Sequence, residues 1–195
     1  MPRPSMAAQR KEEILDAFEE CILNDSLEAT SLEKLAEHAG MKRSILRHYI
    51  GNRDDIIVAL SERYLGYYAA QWEQTIAWLP DNNRMRCMID ILFGERNRSY
   101  VEKSIIGDAV FAQAKRIEAV RAHQIASMNQ SIDILCNEIR RDYPNAPEKK
   151  VALVARGVLA HYLNSESLLP FDMPLEIEEL KQVSILLLST LDIDK

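Results

Sequence analysis

The sequence predicts an all-α chain of about nine helices. Apolar residues recur at helical spacings of three and four along almost its whole length, and no segment alternates apolar and polar as a half-buried strand does. Only 6 glycines and 7 prolines interrupt 195 residues, which leaves room for long helices. Hydrophobic residues make up 47%, enough to fold around one sizeable core or two smaller ones.

The elements follow in order. Residues 1–8 read as a loose arm. Ile14, Leu15, Phe18 and Ile22 then mark one face of a first helix, which Asn24-Asp25-Ser26 ends. Thr30 is placed to cap a short second helix, with Glu33 at capping-box spacing, and that helix ends near His38. Gly40 occupies a turn, and a third short helix runs from about Lys42 to Tyr49. Asn52 caps a fourth, with Asp54 and Asp55 in its first turn, running to about Trp78. After the loop at Pro80-Asp81-Asn82-Asn83, helices are expected over about 83–94, 99–114 and 117–142. In the last of these, Ile125, Met128, Ile132, Leu135 and Ile139 form a heptad-like seam. Pro144 and Pro147 bracket the next loop, and Pro170 and Pro174 the last one. They delimit helices at about 148–166 and 175–191.

Composition excludes several functions. A net charge of −6 argues against indiscriminate coating of nucleic acid but leaves room for a local basic surface. Cys21, Cys87 and Cys136 form no metal-ligand cluster. They suit thiols kept reduced in a cytoplasm, the alternative being a redox sensor. No cofactor motif, catalytic triad or paired-carboxylate motif appears, and His123 and His161 lack further ligands at metal spacing. The chain is therefore expected to be neither an enzyme nor a metalloprotein. No apolar run approaches the ~18 residues of a membrane span, and the first residues do not resemble a signal peptide, so a cytoplasmic location is expected.

The stretch from Leu32 to Tyr49 carries the chemistry. Ala36, four residues before Gly40, offers the small side chain that two closely crossing helices need, and Gly40 can take a positive φ. Leu35, Ala39, Met41, Leu46 and Tyr49 would form a miniature core. That turns Lys42, Arg43, Ser44, Arg47 and His48 outward, on a short helix suited to a major groove. Between Gly40 and Arg53 there are four basic residues (Lys42, Arg43, Arg47, Arg53) and no acidic one. Arg3, Arg10 and Lys11 add positive charge ahead of Glu12.

The run from Thr30 through Ile57 resembles the TetR family signature: a threonine before the second helix, Leu35-Ala36, Ala39-Gly40-Met41, Ser44-Ile45-Leu46, His48-Tyr49, then Gly51 and Arg53. The match covers roughly residues 10–60. Departures are Arg47 for the usual tyrosine, Ile50 for phenylalanine, Arg53 for lysine and Lys42 for serine. The resemblance implies a DNA-binding domain at 1–53 and a ligand-sensing, dimerising domain at 54–195. It implies that Thr30 and Arg53 position the DNA backbone. Lys42, Arg43, Ser44 and Ile45 would face base edges or flanking phosphates, while Arg47 and His48 contact phosphate.

The same resemblance implies a homodimer through the last two helices, whose run Ile185–Leu188 with Leu191 exceeds one apolar face. It places an effector among the fifth to eighth helices. Phe93, Phe111, Met128, Ile132 and Tyr162 are apolar candidates there, with His123 and Asn129 as polar anchors; each also suits ordinary core. The expected function is a transcriptional regulator, a repressor on a pseudo-palindromic operator, released by a small-molecule effector. The alternative is a helical ligand-binding or interaction module without operator recognition.

Overall fold

The computed structural model describes residues 6–192; the expected contribution of Arg3 lies outside them. The described residues form nine α-helices and no strand: α1 (Met6–Asp25), α2 (Leu32–His38), α3 (Arg43–Ile50), α4 (Arg53–Trp78), α5 (Arg84–Leu92), α6 (Arg98–Ala112), α7 (Glu118–Asp142), α8 (Glu148–Leu168) and α9 (Pro174–Ser189). Short 3-10 turns follow α6 and α8. None of these helices is long and apolar enough to cross a membrane.

Two local expectations are corrected. The first helix starts at Met6, inside the stretch expected to be an arm, because Met6-Ala7-Ala8-Gln9-Arg10-Lys11 is an unbroken series of strong helix formers. The cap of α2 is Ser31, not Thr30. Ser31 has extended backbone angles and its hydroxyl accepts from the Lys34 amide, whereas the buried Thr30 hydroxyl donates to the Ser26 carbonyl at 2.8 Å. The capping box forms instead at α4. Asn52 Oδ1 accepts from the amides of Asp54 and Asp55, and the Asp55 carboxylate accepts from the Asn52 amide at 2.8 Å.

The chain divides into two compact units. The first comprises Met1–Gly66 and Glu102–Ile125, the second Tyr67–Val101 and Ala126–Lys195. In the first, α1, α2 and α3 pack on one another. Ile14, Leu15, Phe18, Leu35, Leu46, Ile56, Ile57 and Leu60 are all but inaccessible to solvent. Polar links tie residues 102–125 of α6 and α7 into this unit. Arg116 makes a bidentate pair with Asp54 at 2.7 and 2.8 Å, His123 Nδ1 lies 3.1 Å from Ser61 Oγ, and Lys103 pairs with Glu19.

In the second unit, Met85, Met88 and Ile89 of α5, Leu135 and Ile139 of α7, Val151, Val154, Ala155 and Val158 of α8, and Leu188 of α9 form one buried cluster. The α7 seam packs only in its second half; Ile125 and Met128 are exposed in the single chain. Helices α8 and α9 run very close. A Cβ on Gly157 would stand 2.5 Å from Leu187 Cδ1, so a larger residue there would oblige the Leu187 side chain to turn aside. Arg84, at the start of α5, sends its guanidinium inward to Glu138 at 2.5 Å and to the carbonyls of Leu79 and Pro80.

Candidate nucleic-acid interface

The α2–turn–α3 hairpin is built by a C-terminal glycine motif. Gly40 has φ +62, its amide donates to the Glu37 carbonyl, and the Met41 amide reaches back to Ala36 at 2.8 Å. This closes α2 and redirects the chain at once into α3. Leu46 and Ile50 then face inward and are buried, as are Leu35 and Ala36 on α2; Ala39, Met41 and Tyr49 are half-buried.

Helix α3 is thereby split cleanly. Lys42, Arg43, Ser44, Ile45, Arg47 and His48 are all exposed, and the His48 ring meets Tyr49 edge to face at 5.2 Å. Ile45 is 44% exposed, an apolar side chain within an otherwise polar surface. Such a surface offers donors for phosphate oxygens and base edges and one apolar contact for a thymine methyl. Arg47 has no acidic neighbour within its own helix, whereas Arg43 Nη1 lies 2.5 Å from Glu33 Oε1 on α2.

The other two predicted contacts sit differently. Thr30 is 1% exposed and turned toward Ser26. Arg53 is half-buried. It donates to the Leu27 carbonyl at 2.5 Å and the Thr30 carbonyl at 3.2 Å, stapling the α1–α2 connection to the first turn of α4. Gly51 makes that turn possible: its φ is +91, and a Cβ there would lie 2.3 Å from Asp55 Oδ2. Beside it, hydrogen bonding from Arg116 holds the Asp54 carboxyl below its ordinary pKa.

The predicted sensing residues divide between the units. Phe111 and His123 lie in the first; Phe111 is half exposed and His123 is bonded to Ser61. Phe93, Met128, Asn129, Ile132 and Tyr162 lie in the second. Of these, Phe93 and Tyr162 meet edge to face at 6.4 Å, Ile132 packs against the core, and Met128 and Asn129 are exposed.

Around Tyr162 stands a polar cluster that the sequence pattern does not announce. Tyr100 Oη lies 2.8 Å from Tyr162 Oη and donates to Glu166 at 2.8 Å. Arg96 pairs with Glu166 at 3.0 Å, with its guanidinium 4.8 Å from the Tyr100 ring centroid. Burial first, with Glu166 beside it, pushes the Tyr162 hydroxyl up to about 12, so it stays protonated and available as a donor. The signal that was available is the i, i+4 pair Tyr162/Glu166 within an apolar helical pattern; Arg96, between α5 and α6, lies in the polar run Glu95–Ser99 and carries no such signal.

No family model matches the chain. Its sequence is similar to curated regulators. The HTH-type transcriptional regulators BetI of Burkholderia ambifaria and Paraburkholderia phymatum are 24% and 25% identical over 155 residues, 78% of this chain and 79% and 78% of theirs. Among solved structures, a TetR transcription regulator from Haloarcula marismortui superposes with a TM-score of 0.77 at 15% identity, over 93% of this chain and 97% of that one. A transcriptional regulator from Saccharomonospora viridis in complex with choline gives 0.75 at 10% identity, over 90% and 93%. The all-α fold with an N-terminal helix-turn-helix is therefore the TetR fold.

Proposed function

We propose that this chain, a transcriptional regulator of the TetR type by its fold and resemblances, is a repressor that binds a pseudo-palindromic operator as a dimer and is released by a small-molecule effector. The observation that carries the DNA end is the exposed polar face of α3 over a fully buried Leu46. Lys42, Arg43, Ser44 and Ile45 meet base edges at the start of the helix. Arg47 and His48 meet phosphates farther along it. Arg53 and Thr30 act indirectly, by fixing the loop from which α2 and α4 start. On this proposal residues 1–53 are the operator-binding domain and 54–195 the sensing and dimerising one.

The dimer is assigned to α8 and α9. Leu153 and Leu163 on α8 and Leu175, Val183 and Leu186 on α9 are 62%, 45%, 76%, 41% and 64% exposed. They line the faces these helices turn away from their own core. A second copy related by a twofold axis covers such a stripe with itself, and its symmetry is passed to the operator.

For the effector we place Phe93, Tyr162 and Ile132 of the second unit at the site, together with Tyr100 and Glu166. A half-buried carboxylate beside aromatic rings suits a small organic cation, which would displace the Arg96 guanidinium. The choline held by the Saccharomonospora viridis protein agrees with that chemistry. Binding acts by population shift: an effector that prefers a DNA-incompetent spacing of the two α3 helices draws the dimer off its operator.

Footprinting on the DNA flanking the gene tests the proposal. The expected result is two protected half-sites on one face of the duplex, about 10 base pairs or a multiple apart. Protection no stronger than on random sequence would overturn it in favour of the interaction-module alternative. A thermal-shift screen led by choline reads the effector class: a rise in Tm with that cation supports it, and no rise with any quaternary ammonium removes it.

A further inference from the structure

Glu33 and Arg43 face each other across the helix-turn-helix, from the first turn of α2 to the first residue of α3. Their Oε1–Nη1 distance is 2.5 Å, and both side chains are more than half exposed, at 62% and 53%. The α2 dipole favours an acid in that first turn but does not require it to touch Arg43. As an exposed ion pair the contact adds little to stability. On a surface proposed to meet phosphates, a carboxylate also repels. Its position therefore calls for a different benefit.

A free arginine at the start of a helix samples many rotamers. A guanidinium gripped at one Nη by a carboxylate loses most of them, and its planar fork still has donors to offer. Those donors match the O6 and N7 acceptors that only guanine presents in the major groove. We propose that Glu33 is a positioning residue that orients Arg43 to read one guanine in each operator half-site. The inference rests on the operator reading above. It adds a residue that the outward face of α3 does not contain and a chemical requirement on the DNA: a G·C pair opposite Arg43.

The test uses the full-length protein and an operator selected from a random duplex library. Affinities are compared for that operator, for random duplex and for copies carrying deazaguanine, which lacks the N7 acceptor, at single guanines. The wild type should lose about 10-fold at one guanine per half-site. With Glu33→Gln that penalty should shrink to less than about 3-fold, while binding to random duplex strengthens because a negative charge has left the interface. Arg43→Lys keeps the charge but not the fork and should flatten the same position. A merely electrostatic Glu33 predicts tighter binding everywhere with the guanine penalty intact, which would overturn the inference. So would specific operator binding with no sensitive guanine in the wild type. Failure to prefer any selected sequence over random duplex overturns the operator reading itself, and this inference with it.

Discussion

The surroundings of α3 in the first unit and the second unit place polar and apolar residues in opposite ways. Around α3 the polar residues are outside and the apolar ones inside, so the surface proposed to work is an ordinary solvated face with an unusual charge. In the second unit charges lie inside, as Arg84–Glu138 and Arg96–Glu166, and a leucine-rich stripe lies outside on α8 and α9. A solvated charge on a short helix costs the fold nothing and is free to serve a partner. A buried charge must be matched within the chain, and an exposed leucine stripe must be covered by something else. The difference teaches where to look for stability and where to look for binding.

The largest expected effect breaks the comparison on its stability side. Arg84→Met removes the buried partner of the Glu138 carboxylate, 3% exposed, leaving it only the more distant and exposed Arg141 at 3.4 Å, and should cost about 2–4 kcal/mol in urea unfolding. Arg47→Ala, on the exposed face, should change stability by less than ~0.5 kcal/mol while weakening DNA binding. Equal losses from the two would mean that the units are not organised differently after all.

Next comes the stripe. Leu186→Glu places a charge at the centre of the proposed twofold contact and should weaken the dimer by roughly 2 kcal/mol or more, about 30-fold. Light scattering across a dilution series reads it; an unchanged mass would remove α9 from the interface.

A smaller effect probes the frame of the first unit. Gly51→Ala puts a Cβ 2.3 Å from Asp55 Oδ2 at φ +91 and should cost about 1–3 kcal/mol, lowering Tm by several degrees. A neutral result would show that the α4 capping box is not what fixes this turn.

The smallest effect is chemical. Burial raises the thiol pKa of Cys21 and of Cys136, whereas Cys87 is half-buried. Alkylation near neutral pH should therefore label Cys87 first and the other two only on unfolding. Rapid labelling of Cys21 or Cys136 would return the redox-sensor alternative to consideration.

The same contrast explains what the sequence could say. The helix-turn-helix was legible because its signals are local: a glycine at a turn, apolar residues every three or four positions and four basic residues without an acid. The exposed and buried faces of α3 fall as that pattern requires. Pairings across long separations were not legible. Arg53 bonds to carbonyls more than twenty residues away, and Arg96 and Tyr100 meet Glu166 across 70 and 66 residues. The amphipathic pattern of the second unit predicts its helices but cannot say which apolar face meets the chain's own core. Ile125 and Met128, expected in a packed seam, are exposed for that reason. Thr30 and Ser31 show the same limit at short range, since either hydroxyl could cap α2 and only the backbone angles of Ser31 decide it.

That the exposed face of α3 reads a DNA sequence is tested most directly by titrating the protein against its own flanking promoter DNA and against random duplex over a salt series. Both affinities should fall as salt rises, with the promoter bound at least ~1,000-fold more tightly near physiological salt. Equal and weak binding of the two at every salt concentration would contradict it.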